Sequence, residues 1–288
     1  MTRLRRRLEA LVADFDASRI HPDPLEIVRL HRGRDDQEVA GIVAAGLAFG
    51  GVKAILGSVR RALAPLGPRP AKGLAAAGDG ELRAALAGFR HRWVDGDDVA
   101  ALLSAVRRLR KRHGSLEDLF LAGDPGGPTV EGALAAFAGA LDRADPGFAR
   151  RGARAFVPSP ADGSACKRPL LFLRWMVRRD GVDTGAWRRV DPARLVLPLD
   201  THVARISRAL GILRRTSNDW RAALEATEAL RRLDAADPVR FDFAICRLGI
   251  LDLCPRKRDV VKCRACQLYD VCSYGSTERR APSRVPLP

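Results

Sequence analysis

Cys254, Cys263, Cys266 and Cys272 stand near the end of the 288-residue chain with eight, two and five residues between them. Thiolates this close in sequence can enclose one tetrahedral metal ion or an iron-sulfur cluster, and the two-residue spacer serves either. Spacing alone leaves zinc and a four-iron cluster open. Disulfides are the less favoured reading, because no signal peptide opens the chain and cytosolic thiols stay reduced. Cys166 and Cys246 lie outside the group and read as small buried apolar residues.

An amine and a carboxylate each stand where a helix should begin. Lys167 and Arg168 precede Pro169 and the apolar run Leu170, Leu171, Phe172, Leu173, Trp175, Met176 and Val177. Proline is tolerated there because the first helical turn leaves its N–H groups unpaired anyway, and Gly181 marks the far end. Asp200, Thr201 and His202 precede Val203, Ile206 and Leu210, which share one helical face. The plain reading of Asp200 is an N-cap, and that of Lys167 a phosphate contact or a solvated lysine at a helix start.

The rest of the chain must position these groups, and its apolar residues recur at helical spacing almost throughout. The fold class is all-α. A basic helix is expected over residues 2–15, then a proline-containing break over 20–24. Asp35 with Glu38 forms a capping-box signal before the apolar helix carrying Val39, Ile42, Val43, Ala45 and Leu47. Gly50-Gly51 stops that helix and residues 52–63 start another. Further helices are expected over 80–89, 99–113, 115–121 and 130–144, with breaks at 123–128 and 157–163. Residues 182–197 read as a polar, loop-like insert. Trp93, Trp175, Trp187 and Trp220 read as core, with base stacking the lesser alternative, and 276–288 as a disordered tail.

Fifty Lys plus Arg face 34 Asp plus Glu, a formal net charge of +16, which attracts phosphate polymers without regard to sequence. A compositional bias toward Arg accounts for part of the excess, since Lys occurs only at positions 53, 72, 111, 167, 257 and 262. No uncharged apolar run approaches membrane-spanning length, so no membrane partner is expected and the protein should be cytoplasmic.

The unequal cysteine intervals at the end of a helical chain resemble the C-terminal cluster loop of the endonuclease III family of helix-hairpin-helix DNA glycosylases. Lys167, at the mouth of its apolar helix, is similar to the lysine with which that family forms a Schiff base. Asp200-Thr201-His202-Val203, followed by Arg205, resembles the helix carrying its catalytic aspartate. The order Lys167, Asp200, cysteines is the family's order. Four departures stand beside the match: Phe49-Gly50 in place of the polar residue the family has in the turn before residues 52–63, a first cysteine interval two residues longer, an added 182–197 segment, and a hairpin turn in which only Gly163 survives of the glycines that hold a DNA phosphate.

The resemblance implies a two-lobed helical fold, with a six-helix-barrel lobe over 35–181 and a cluster lobe formed by 1–34 and 182–275. It implies a 4Fe-4S cluster on Cys254, Cys263, Cys266 and Cys272, with zinc as the alternative, serving to brace the loop. The implied activity is base excision from damaged or abasic duplex DNA by a nucleoid-associated monomer, with AP-lyase chemistry through Lys167 and electrostatic stabilisation by Asp200. Expected DNA contacts are Gly163, Arg168, His202, Arg205, Arg208 and the loop cations Arg256, Lys257, Arg258, Lys262 and Arg264. For Arg205 and Arg208 a solvated face is the equal alternative, and for His202 packing or hydrogen bonding is favoured over metal ligation. A non-catalytic DNA-binding relative and a zinc-stabilised RNA-associated module are the competing functions.

Overall fold

A computed structural model of the chain describes residues 2–149 and 151–275. The expected tail over 276–288 lies outside the described residues. In chain order the helices are α1 (Arg3–Asp14), α2 (Leu25–Arg29), α3 (Arg34–Gly46), α4 (Val52–Leu63), α5 (Pro70–Ala76), α6 (Asp79–Ala85), α7 (Gly96–His113), α8 (Leu116–Ala122), α9 (Glu131–Ala144), α10 (Arg151–Arg154), α11 (Lys167–Val177), α12 (Thr201–Ala209), α13 (Trp220–Arg231), α14 (Asp242–Ile250) and α15 (Val260–Ala265). The strands β1 (Arg90–His91) and β2 (Val94–Asp95) form a small antiparallel hairpin between α6 and α7. The protein is predominantly helical, as its periodicity requires. Among the described residues no helix is long and apolar enough to cross a membrane.

α3 is the central element. Every residue from Glu38 to Gly46 is buried, and the helix packs against α2, α4, α5 and α11. A helix apolar on all sides is stable only when surrounded in this way. α7 packs on α6, α8 and α9, while α12 packs on α14 and α14 receives α1. The N-terminal helix therefore meets the C-terminal part of the chain, and Arg3 and Arg7 of α1 both reach Asp270, at 2.7 and 2.9 Å.

Four local expectations are corrected. Glu38 does not complete a capping box: α3 starts one residue before Asp35, after Gly33, and Glu38 is fully buried. Its carboxylate accepts from Trp187 Nε1 at 2.8 Å and from the amides of Leu116 and Glu117 at 3.1 Å, and pairs with Arg110. It thus supplies acceptors to the first amides of α8, whose own helix cannot satisfy them. Burial pushes the Glu38 carboxyl above its ordinary range against these donors.

Residues 182–197 are not a polar loop. Val182, Trp187, Val190, Leu195, Val196 and Leu197 are buried, and the amides of Thr184, Gly185 and Trp187 bond to the last carbonyls of α11. The segment is a strap whose Trp187 ring meets Phe172 edge-on. Trp93 is not core either: it stands 53 % exposed on the β1–β2 turn and stacks on Phe49 with ring centroids 4.5 Å apart. The helix expected over 80–89 ends at Ala85, because the chain must turn into that hairpin.

Candidate active site

Lys167 is delivered by a sharp turn. Gly163, at φ +72°, closes a short 3-10 turn, and its carbonyl accepts from the Trp220 amide at 3.2 Å. Cys166 then adopts left-handed geometry at φ 49°, with its thiol buried and donating to the Pro158 carbonyl at 3.3 Å. Lys167 is consequently the first residue of α11, and its Nζ donates to the Ala48 carbonyl beyond the end of α3 at 2.8 Å. Burial pushes the Cys166 thiol up to about 12, in keeping with its reading as a small apolar residue.

Asp200 caps α12, as its sequence context predicts, with Oδ1 accepting from the Val203 amide at 2.7 Å. One oxygen suffices for that task. The other, Oδ2, faces the Cys246 thiol at 3.5 Å. The cap and the chemical role assigned to Asp200 are therefore compatible, because they use different oxygens.

Lys167 and Asp200 line one cavity of about 640 Å³, together with Asp23, Arg168, Arg174, His202, Asp242 and Cys246. Phe49, Leu199 and Phe243 supply apolar wall. The volume lies in the range of ordinary small-molecule pockets. Asp242 is buried and bonded to Arg174, yet burial, aided by Asp200 and Asp183, pushes its carboxyl up to about 6. Burial likewise raises Asp23, against its bond from the Leu25 amide and the attraction of Arg174, Arg247 and Lys167. Cys246 is raised well above the usual thiol value by burial, then by Asp200 and Asp242, so it remains a neutral donor. Residue-by-residue reading of the sequence assigned nothing to Asp23, Arg174 and Asp242, and took Cys246 for a small apolar residue; no motif marks them, and packing alone brings them here.

Arg168 forms part of the same wall. Its guanidinium lies 5.0 Å over the Phe49 ring, and Phe49 in turn carries the exposed Trp93. Burial lowers Arg168 to about 10, and its buried Nη1 has no protein partner. A cation with a spare donor at a cavity wall is suited to an anion or a base carbonyl.

The other expected DNA contacts divide. The Gly163 amide is committed to the Pro160 carbonyl at 2.9 Å, so it has no spare donor for a phosphate. His202 packs against α14, where a Cβ at Gly249 would sit 2.4 Å from its Nδ1. Arg205 turns inward to the Cys254 sulfur at 3.2 Å and the Pro255 carbonyl at 3.1 Å, which displaces both its expected phosphate contact and its solvated alternative. Arg208 holds the carbonyls of Arg215, Thr216 and Ser217 and the side chain of Asn218, pinning the loop after α12. Lys262 bonds to the Asp252 carbonyl at 2.8 Å, whereas Arg256, Lys257, Arg258 and Arg264 are exposed on the loop surface.

The four C-terminal cysteines come close enough for their charges to interact. Burial first, and then Cys254, Cys272 and Cys263, raise Cys266; Cys272 is raised by burial and by Cys254 and Cys263. Donors already face the sulfurs: Arg205 at Cys254, the Leu268 amide at Cys266 at 3.5 Å, and the Tyr274 and Gly275 amides at Cys272. Such donors favour thiolate and are what a bound metal centre requires around it. Among the described residues no set of three His, Cys, Asp or Glu groups stands in metal-holding geometry.

Residues 23–251 match the family described as a protein of unknown function, DUF2400. The chain belongs to the DUF2400 family. The matched stretch contains Lys167, Asp200, Asp242 and Cys246 and ends before Cys254, so the cavity falls inside the family's extent and the cysteine loop outside it. No curated protein and no solved structure matches the chain.

Proposed function

We propose that this protein is a DNA base-excision glycosylase with AP-lyase activity, built on a two-lobed endonuclease III-like fold with its cysteine loop as a cluster lobe. The observation that carries the reading is the shared cavity of Lys167 and Asp200, which stand at the starts of α11 and α12, the helices before and after the strap. The damaged nucleotide would leave the stack to enter it. As the glycosidic bond lengthens, positive charge grows at C1′ and the Asp200 carboxylate lowers its energy. The Lys167 amine, released from the Ala48 carbonyl, forms a bond to C1′ and loses a proton to Asp200. The sugar ring then opens, the C1′–O4′ bond breaking and O4′ taking a proton, and the Schiff base so formed permits strand cleavage by β-elimination. Phosphates would meet the exposed cations of the cysteine loop, with affinity that falls as salt rises.

Cys254, Cys263, Cys266 and Cys272 would hold the 4Fe-4S cluster, with zinc as the alternative. When bound, such a group supplies a rigid tie for the basic loop. Arg205 and the Leu268, Tyr274 and Gly275 amides would offset the charge of the thiolates. A second reading, a DNA-binding protein without turnover, is favoured by one observation: the surviving hairpin glycine has its amide occupied.

Borohydride trapping on abasic duplex DNA separates the two. A covalent adduct with the wild-type protein that vanishes in Lys167→Ala supports the glycosylase, and binding without adduct or base release across a lesion panel leaves only the binder.

A further inference from the structure

Eleven buried side-chain polar atoms have no hydrogen-bond partner among the described residues, and two of them belong to residues lining this cavity: Arg168 Nη1 and Asp242 Oδ1. Asp242 is 2 % exposed, and its other oxygen is held by Arg174 from α11. Folded proteins rarely leave a buried carboxylate oxygen unpaired, so an orphan at a cavity wall points to a partner that arrives with a ligand. α14, which carries Asp242, packs directly on α12, which Asp200 caps. The two carboxyls therefore belong to adjacent elements lining one cavity, in different settings: Asp200 is half-buried and takes the Val203 amide, while Asp242 is buried beside an arginine.

We infer that Asp242 meets the departing base and delivers a proton to it as the glycosidic bond breaks. The inference rests on the glycosylase reading. In the step, the Asp242 O–H bond breaks and a bond from that hydrogen to a ring nitrogen or carbonyl oxygen of the base forms. The electron pair of the C1′–N bond leaves with the base, which departs neutral. Asp242 becomes a carboxylate beside the guanidinium of Arg174, which is already in place, so the new charge is met without rearrangement. The oxocarbenium left behind faces Asp200 and is captured by Lys167.

The groups that tune Asp242 come from every side. Arg174 of α11 favours its charged form, whereas Asp183 of the strap and Asp200 at the head of α12 oppose it. Cys246 lies on its own helix, and Lys167 and Asp23 stand elsewhere on the cavity wall. Burial is the largest influence and leaves the carboxyl titrating at about 6, where an acid can still hold its proton near neutral pH. The two carboxyls thus divide the work between an acid and an anion.

The test compares leaving groups. Full-length protein is assayed in single-turnover base release from duplexes carrying uracil, 5,6-dihydrouracil or hypoxanthine, which leave neutral only if protonated, and from N7-methylguanine, which is already cationic. Asp242→Asn should slow the neutral bases roughly 100-fold or more and N7-methylguanine less than about threefold. The wild-type rate on a neutral base should fall about tenfold per pH unit above about pH 6. That limb should be absent in Asp242→Asn and retained in Asp242→Glu. If N7-methylguanine is not processed, the limb alone decides. Equal loss on all bases, or an unchanged limb in Asp242→Asn, overturns the inference while leaving the glycosylase standing. A wild type that releases no base and forms no Lys167 adduct removes both.

Discussion

The thiol of Cys246 lies 3.5 Å from Asp200 Oδ2 while Oδ1 of the same carboxylate caps the Val203 amide at 2.7 Å. Structural and chemical duties are thereby divided within one side chain, and substitutions should separate them. Asparagine caps as well as aspartate but carries no charge, so Asp200→Asn should keep stability within about 0.5 kcal/mol and lose base-release rate by a factor of about 100 or more. Asp200→Ala should lose the same activity and a further ~1 kcal/mol of stability. Denaturant melts beside single-turnover rates check both; a stable Asp200→Asn with full activity would sink the electrostatic role.

Cys246 lines the cavity but should resist alkylation. Its thiol is held well above the usual value by burial and by Asp200 and Asp242, so almost none is thiolate near pH 8. Mass spectrometry after iodoacetamide treatment should find it unmodified in the folded protein and modified after unfolding. Asp200→Asn, which removes a raising charge, should increase its labelling.

Trp93 is the exposed member of the four tryptophans, for Trp175, Trp187 and Trp220 are each 5 % accessible or less. Aromatic faces at a cationic surface stack on unpaired bases. Duplex DNA with an abasic site should therefore quench the fluorescence of the wild type and leave that of Trp93→Leu nearly unchanged. Trp93→Ala should weaken binding by about 1–3 kcal/mol, and a filter-binding titration measures it.

For the cysteine loop, iron and sulfide analysis after anaerobic purification should find the cluster, and Cys263→Ser should abolish its visible absorbance. Loss of the group should free the basic stretch around Arg256 and Lys257 to trypsin, while α1, α11 and α14 stay folded on the main core. A colourless, zinc-containing protein with the same protection pattern would replace iron by zinc without changing the structural role.

Glu38 offers a stability test remote from chemistry. Glu38→Ala would leave Trp187 Nε1 and two α8 amides without their acceptor and Arg110 with Asp35 alone, and should cost about 3–5 kcal/mol in urea unfolding. Glu38→Gln keeps the shape and one acceptor oxygen, and should lose less.

Local order was readable where short-range physics governs it. Residues 52–63 are a helix because an amphipathic stripe follows two glycines, and α12 starts after Asp200 because that side chain reaches an amide three residues on. Glu38 misled because the capping pattern is also local, whereas its actual partners lie up to 149 residues away. The strap misled for the same reason: its charged residues suggested a loop, and Trp187 and Val190 found a core made by other segments.

By itself the sequence determined an inventory of helix starts, an amine and a carboxylate at two of them, and a cysteine-rich end with short intervals. Only tertiary packing decided that Lys167, Asp200 and Asp242 border one cavity, that Arg205 serves the cysteine loop, and that Asp242 keeps an unpaired oxygen. Periodicity and capping act within one or two turns, but desolvation and side-chain partnership depend on which distant segments exclude water from a group, and no local spacing records that.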